Sequence, residues 1–322
     1  MFNALLKKLR IDVNKNSKLS FYLRGLYILY TPKSLYIKDL EKDYSQLDTK
    51  KKEAIDKRVS YYNKCSHPFV LPKETKTIFE FIKTEKKKTY FFDLLEYLKY
   101  FPYHLQIAYL FGDIREVPEI PTIVKSRPIS QENANAVLLK LNKVRHFIFV
   151  EDTIPFQEKE NLLVWRGKVH QKHRIRFFEK HFNNPLCNIG MVNENHLPKE
   201  WKKGKLSLKE QLHYKFILAI EGNDVASNLK WVFSSNSLAV MPKPKYETWF
   251  MEGKLEAGVH YVEIKEDFSN LDEQLHYYMQ HPQEAQKILE NAHQYVAQFQ
   301  NKKEEDIISF LVLKKYFSLQ KS

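Results

Sequence analysis

The stretch 214–271, YKFILAIEGNDVASNLKWVFSSNSLAVMPKPKYETWFMEGKLEAGVHYVEIKEDFSNL, constrains the fold most. It reads as three buried strands with helix starts between them, each apolar run closed by polar or glycine-bearing residues. Continuous apolar strands of this kind belong to parallel sheets covered on both faces. The first run ends in Glu221-Gly222-Asn223-Asp224, followed by Ser227, Asn228 and Lys230. In open α/β sheets, ligands sit in the crevice past the carboxyl ends of the strands. A glycine there lets the backbone approach a phosphate, and the next helix offers free N–H groups to it. The segment therefore predicts one half of a nucleotide-binding enzyme.

The rest of the chain supplies more of the same alternation. Residues 1–110 are rich in Lys and Tyr and helical in pattern, with helical spacing clearest in the second half of 76–100. Prolines at 118, 121 and 128 exclude a helix between them and leave Ile123-Val124 as a short strand. Residues 132–144 predict a helix, Phe147–Val150 a strand, Leu162–Trp165 a buried strand and Cys187–Val192 another. RIRFFEKHF reads as a helix between the last two, and a short helix precedes Tyr214. The chain from Asp272 to about Phe317 predicts helices throughout. Strands alternating with helices argue for parallel sheets, and 322 residues suit two domains better than one.

Net charge is 52 − 39 = +13. A basic surface favours anionic partners: nucleic acid, anionic lipid or phosphorylated substrates. The same charge also reads as an ordinary lysine-rich solvated surface, because the lysines are scattered. No nucleic-acid-binding signature is present, so nucleic acid is not an expected partner. Cys65 and Cys187 form neither a metal-ligand spacing nor a disulfide framework, which predicts a reduced compartment. The start of the chain, MFNALLKKLRI, lacks a signal peptide's long apolar region, and no run reaches the length of a membrane span. A cytoplasmic protein is expected. Its first ten residues read either as a basic amphipathic helix touching a membrane surface or as an ordinary first core element.

Two further clusters can carry chemistry. Trp165-Arg166-Gly167-Lys168-Val169-His170-Gln171-Lys172-His173-Arg174 joins a strand end, a glycine and a basic helix start. Arg supplies a planar fork for phosphate oxygens and Lys a point charge, so this cluster opposite Gly222 would grip a diphosphate from two sides. It reads equally as a basic surface helix. In Asp113-Ile114-Arg115-Glu116-Val117-Pro118, two carboxylates flank an arginine in a proline-held loop. Such a carboxylate can take a proton from a hydroxyl, or simply make a salt-bridged turn. His170, His173 and His213 lack a third metal ligand and read as solvated or phosphate-adjacent.

Three blocks in order resemble glycosyltransferase family 90, nearest its bacterial lipooligosaccharide transferases. DIREVP at 113–118 is similar to the family's N-V-R-D-Y-P loop, and WRGKVHQKHR at 165–174 to its F-R-G-S…R segment. The strongest block is YKFILAIEGNDVASNLKWVFSSNSLAV with GVHYVEIKEDFSNL and the helix PQEAQKILENAHQYV. The resemblance covers about 113–296.

The resemblance implies an α/β, GT-B architecture: two Rossmann-like domains facing a cleft, with C-terminal helices packing back on the first. The expected boundaries are 1–155 for the acceptor side, 156–296 for the nucleotide-sugar side and 297–322 for a terminal helix. It implies inverting transfer from a UDP-sugar without a metal or other cofactor. Glu116 falls on the family's catalytic aspartate, with Asp113 as the second candidate for the base. Arg174 falls on the arginine that binds the donor diphosphate and Lys168 on a donor-contacting serine. Arg166 and Gly167 flank these positions. Gly222, Asn223, Asp224, Ser227, Asn228 and Lys230 fall on the nucleotide-holding loop and helix start. Two departures stand out: the base is Glu rather than Asp, and a family arginine is Asn228 here, with Lys168 as the candidate replacement. The implied reaction moves glucose or galactose from its UDP-sugar to an inner-core heptose of lipopolysaccharide at the inner face of the bacterial inner membrane. A capsule or exopolysaccharide transferase and a non-catalytic polyanion-binding protein are the alternatives.

Overall fold

The computed structural model describes residues 16–35, 37–194 and 196–321. The amphipathic reading of the first ten residues lies outside them.

The first part is helical: Lys18–Tyr30, Leu40–Ser45, Thr49–Tyr62, Ile78–Thr84 and Thr89–Leu98. Local chemistry starts four of these. Ser17, Asp39, Asp48 and Thr77 each accept an N–H from the first turn, and Thr77 with Glu80 forms a reciprocal capping box. These helices surround a small parallel sheet of order β1-β2-β4, made of Tyr109–Leu110 (β1), Thr122–Val124 (β2) and Ala136–Leu138 (β4). Ser126–Pro128 (β3) leaves this sheet to pair elsewhere.

The expected helix over 132–144 is therefore wrong: its centre is β4, and only Lys143–His146 is helical. Ala136, Val137 and Leu138 are all buried, and an apolar run buried on both faces has no periodicity to tell strand from helix. No strand forms at Phe147–Val150; the Val150 N–H is donated to the Ser234 hydroxyl at 2.9 Å.

The second sheet has five parallel strands in the order β10-β8-β7-β5-β6. They are Glu160–Gly167 (β5), Cys187–Met191 (β6), Tyr214–Leu218 (β7), Leu238–Met241 (β8) and Val262–Glu263 (β10). Period-two alternation sorts its side chains between two cores. Leu163, Trp165, Phe216, Leu218, Leu238 and Val240 join one core, with Phe177 and Phe178 from helix Lys172–His181 and Leu271 and Leu275 from helix Leu271–Gln280. Val164, Ile217, Ala239 and Met241 point the other way. That second core is continuous with the β2 and β4 side chains of the first sheet.

Tyr246–Thr248 (β9) pairs antiparallel with β3 and so links the two sheet regions. Arg127, fully buried on β3, donates to the Glu247 carboxylate at 2.7 Å and to the carbonyls of Tyr61, Tyr62 and Ala136. The C-terminal helix Lys302–Leu319 packs on Thr49–Tyr62 and Leu40–Ser45. Its buried Glu305 is shared by Arg58, Lys140 and the Trp249 indole N–H at 2.6, 2.6 and 2.7 Å.

Candidate functional site

The order of the five-stranded sheet fixes where a ligand can enter. The chain runs from β5 to β6 on one side, then returns past β5 to β7 on the other. Direction reverses between β5 and β7, and such a switch point opens a crevice beyond the carboxyl ends of those two strands. The loop after β5 carries Gly167 and Lys168, and the loop after β7 carries residues 219–228. The two clusters singled out in the sequence thus meet at one crevice.

Arg174 joins them. Its Nε donates to the Glu221 carbonyl at 2.8 Å, Nη1 to the Lys168 carbonyl at 2.8 Å and Nη2 to the Ile220 carbonyl at 3.0 Å. Its guanidinium lies over the Trp165 ring, 5.2 Å from the centroid. Three of the five N–H groups of a guanidinium are thereby used, and two remain. No carboxylate lies within ion-pair distance of it among the described residues. Burial, with Arg145 as a like-charged neighbour, lowers its pKa to about 10 against the opposing pull of Glu221. A half-buried guanidinium with two N–H groups left over and no carboxylate in ion-pair contact is electrostatically prepared for an anion. Lys168 is exposed beside it, and the helix Lys172–His181 begins after Gln171, whose side chain leaves the first-turn N–H groups uncapped.

Close approach explains both glycines. A Cβ on Gly222 would sit 3.3 Å from the Arg174 Nη2, and one on Gly167 would sit 2.3 Å from the Trp165 ring. Gly167 is thus required by the indole folded over it.

The crevice also receives groups from the first sheet region. Lys125, at the end of β2 and 2% exposed, binds Asp113 and Asp224 at 2.6 Å each. Asn223 donates to the second Asp113 oxygen at 3.2 Å and accepts from Gln171 at 3.2 Å. Burial alone would raise the Asp113 pKa, but the Lys125 pair, the Asn223 bond and the nearby Arg145 hold it below the usual carboxylate range. Both Asp113 oxygens are engaged, which makes it a poor proton acceptor. Glu116, three positions along the same loop, is exposed and forms no hydrogen bond or ion pair with a described residue.

Several expected site residues point elsewhere. Arg166 is spent on the carbonyls of Gly204, Trp165 and Asn188 and on the Asn188 side chain. Lys230 is fully buried and pairs with Glu252 at 2.6 Å, because every residue of helix Leu229–Phe233 faces the core. Its ammonium is withheld from the crevice. Asn228 donates to the Leu218 carbonyl at 2.9 Å and closes the end of β7, and Asp224 is held under the crevice by Lys125. Ser227 is half-buried beside them. The sequence reading missed Lys125 and Arg145, and named Gln171 and Glu221 within its clusters without giving either a role. Lys125 follows a strand directly, a signal that was available. Arg145 and Gln171 reach the crevice only through the fold.

Beside the ends of β7 and β8 lies a cavity of about 220 Å³ lined by Lys172, His173, Arg176, Glu221, Lys243 and Phe268 among others. The Glu221 carboxylate accepts the N–H groups of Lys245 and Tyr246 at 3.0 and 3.2 Å. Burial still pushes its pKa up to about 7. The folded state therefore holds this proton more tightly than the unfolded chain, and stability is lost as pH rises from about 4.5 through about 7. Glu221→Gln keeps the acceptor oxygen and removes the titration. The Tm of the variant should gain on that of the wild-type protein as pH rises across this window. A difference that stays constant from pH 4.5 to 8 would contradict the account. Among the described residues no group of three or more His, Cys, Asp and Glu side chains is arranged to hold a metal ion.

Residues 135–322, more than half the chain and including the whole five-stranded sheet, match the family model described as glycosyl transferase family 90. The chain belongs to this family. It is a glycosyltransferase of the LpsA-like kind: it is 44% identical over 305 residues, 94% of its own length and 96% of the relative's, to a protein of Dichelobacter nodosus described as O-glucosyltransferase LpsA. The family match takes in the Arg174 crevice and both its loops. The 113–118 loop lies ahead of that span.

Proposed function

We propose that this family 90 member is an inverting hexosyltransferase, moving glucose from UDP-glucose, or in its place galactose from UDP-galactose, to an inner-core heptose of lipopolysaccharide. The glucose rests on the description of the Dichelobacter relative as an O-glucosyltransferase, and the lipopolysaccharide setting on the resemblance to bacterial lipooligosaccharide transferases. The nucleotide donor rests on one observation above all: Arg174, a half-buried guanidinium with no carboxylate in ion-pair contact and two N–H groups left over, at the switch point between β5 and β7. Residues 1–155 would carry the acceptor and 156–296 the donor across a GT-B cleft, with 297–322 tying back to the first. Lys125 and its two aspartates lie where those halves meet.

The chemistry follows from the residues. The diphosphate lies against Arg174, Lys168 and the start of helix Lys172–His181, and the nucleoside reaches toward the Glu221 cavity. Glu116 takes the proton from the acceptor hydroxyl as its oxygen forms a bond to the anomeric carbon. The bond from that carbon to the diphosphate oxygen breaks, and UDP leaves with the electron pair. Negative charge grows on the leaving oxygen, where fixed cations and N–H groups stabilise it most. No metal is assigned a role. Excluding water from the closed cleft would limit hydrolysis of the donor.

Calorimetry with UDP, UDP-glucose and UDP-galactose in the presence of EDTA tests this. Binding that survives chelation is expected. Arg174→Lys should weaken it at least about tenfold, because a point charge cannot replace a fork that holds two loops and a phosphate. Absence of binding for all three compounds, or unchanged affinity in the variant, would remove the donor site from this crevice.

A further inference from the structure

The helix Lys18–Tyr30 keeps one apolar face out of the core. Leu19, Leu23, Leu26 and Tyr30 are 72%, 59%, 41% and 79% exposed, and Leu35, just beyond, is 71% exposed. Spacings of four, three and four residues put the first four on a single helical stripe. The opposite face is fixed against the protein: Gly25 and Ile28 are buried, and a Cβ on Gly25 would meet the Phe92 ring at 2.5 Å. Arg24 pairs with Glu96 at 2.6 Å at the edge of the contact. The stripe therefore cannot rotate inward. Solvent-facing leucines in a row mark a contact surface.

Charge says what the surface meets. Residues 16–38 contain Lys18, Arg24, Lys33 and Lys38 and no acidic residue; Arg24 pairs with Glu96 and Lys38 with Asp306, which leaves Lys18 and Lys33 as the cations beside the stripe. The preceding residues add Lys7, Lys8, Arg10 and Lys15 against Asp12, interleaved with Phe2, Leu5, Leu6 and Leu9. An apolar stripe flanked by cations and carrying a terminal tyrosine matches a helix lying in the headgroup region of an anionic bilayer. Among the described residues no helix is long and apolar enough to cross a membrane, so this contact would lie on the surface.

We infer that the exposed face of helix Lys18–Tyr30, with Leu35, is the membrane-docking surface of this protein, and that its ligand is anionic phospholipid. This extends the proposed reading, in which the acceptor is lipid-borne, but it stands on the helix's own chemistry.

The test is co-sedimentation of the full chain with vesicles of phosphatidylglycerol and phosphatidylethanolamine, against vesicles of phosphatidylcholine. The wild-type protein should bind the anionic vesicles, and less as salt rises. The triple variant Leu19→Ser, Leu23→Ser, Leu26→Ser should lose at least about tenfold in partitioning with its Tm unchanged. Lys18→Glu with Lys33→Glu should lose binding to anionic vesicles while leaving the leucines in place. Unchanged partitioning of the triple variant would overturn the inference. So would a wild-type dimer that the triple variant dissociates without loss of vesicle binding, which would make the face a self-association surface. A large fall in Tm with vesicle binding retained would show that the chain itself covers the leucines. UDP calorimetry on the same samples separates the two claims. Donor binding without vesicle binding sinks only the docking surface. Vesicle binding without donor binding sinks only the UDP-sugar donor reading.

Discussion

Glu116→Gln is expected to lower turnover by roughly 10²–10⁴-fold, the usual worth of a general base, while leaving the affinity for UDP unchanged. The amide is nearly isosteric but cannot take the acceptor proton. Glu116 forms no bond with a described residue, so the substitution breaks nothing that holds the loop. Asp113 is its rival in sequence, and geometry separates them. One Asp113 oxygen is bound by Lys125 at 2.6 Å and the other by Asn223 at 3.2 Å, which depresses its basicity. Asp113→Asn should therefore loosen the loop and raise KM more than it lowers kcat. Near-normal turnover in Glu116→Gln would transfer the base to Asp113 or to another carboxylate. Loss of UDP binding in the same variant would mean that Glu116 shapes the donor site instead.

The second large effect is on stability. Arg127→Ala should destabilise the fold by about 3–5 kcal/mol, because it leaves a buried carboxylate without its cation. Glu247 is 1% exposed and takes the Arg127 Nε at 2.7 Å. The same guanidinium satisfies the carbonyls of Tyr61, Tyr62 and Ala136, which would also be left without a donor. These contacts gather helix Thr49–Tyr62, β4 and the β3–β9 pair around one side chain. Arg127→Lys should recover only part of the loss, since an ammonium lacks the planar fork. Denaturant unfolding measures this, and a loss below about 1 kcal/mol would show that the network holds little.

The five-stranded sheet was legible because its strands carry two signals at once. Phe216, Ile217 and Leu218 form an apolar run that a polar, glycine-bearing loop ends, and both features survive in three dimensions as β7 and the Gly222 turn. Gly167 was read only as part of the basic cluster, and the structure gives the space a side chain would take to Trp165. Lys230 was grouped with Gly222 by closeness in sequence. The direction of helix Leu229–Phe233, set by packing, sends it to Glu252. Ala136–Leu138 was misread as helix because complete burial erases periodicity. Arg145 could not be placed from spacing, since only the meeting of the two sheet regions brings it near Arg174. Glu116 is proposed from the resemblance alone; nothing in the loop's composition distinguishes it from a surface turn.

The most direct measurement is transfer of labelled glucose from UDP-α-glucose to lipopolysaccharide truncated at the inner-core heptoses, with the anomeric configuration of the product read by NMR. The account predicts a single glucose in β linkage on a heptose, formed in EDTA and absent with Glu116→Gln. An α-linked product would contradict inversion and the role given to Glu116. No transfer from any UDP-hexose, by protein shown to be folded, would contradict the proposed reaction itself.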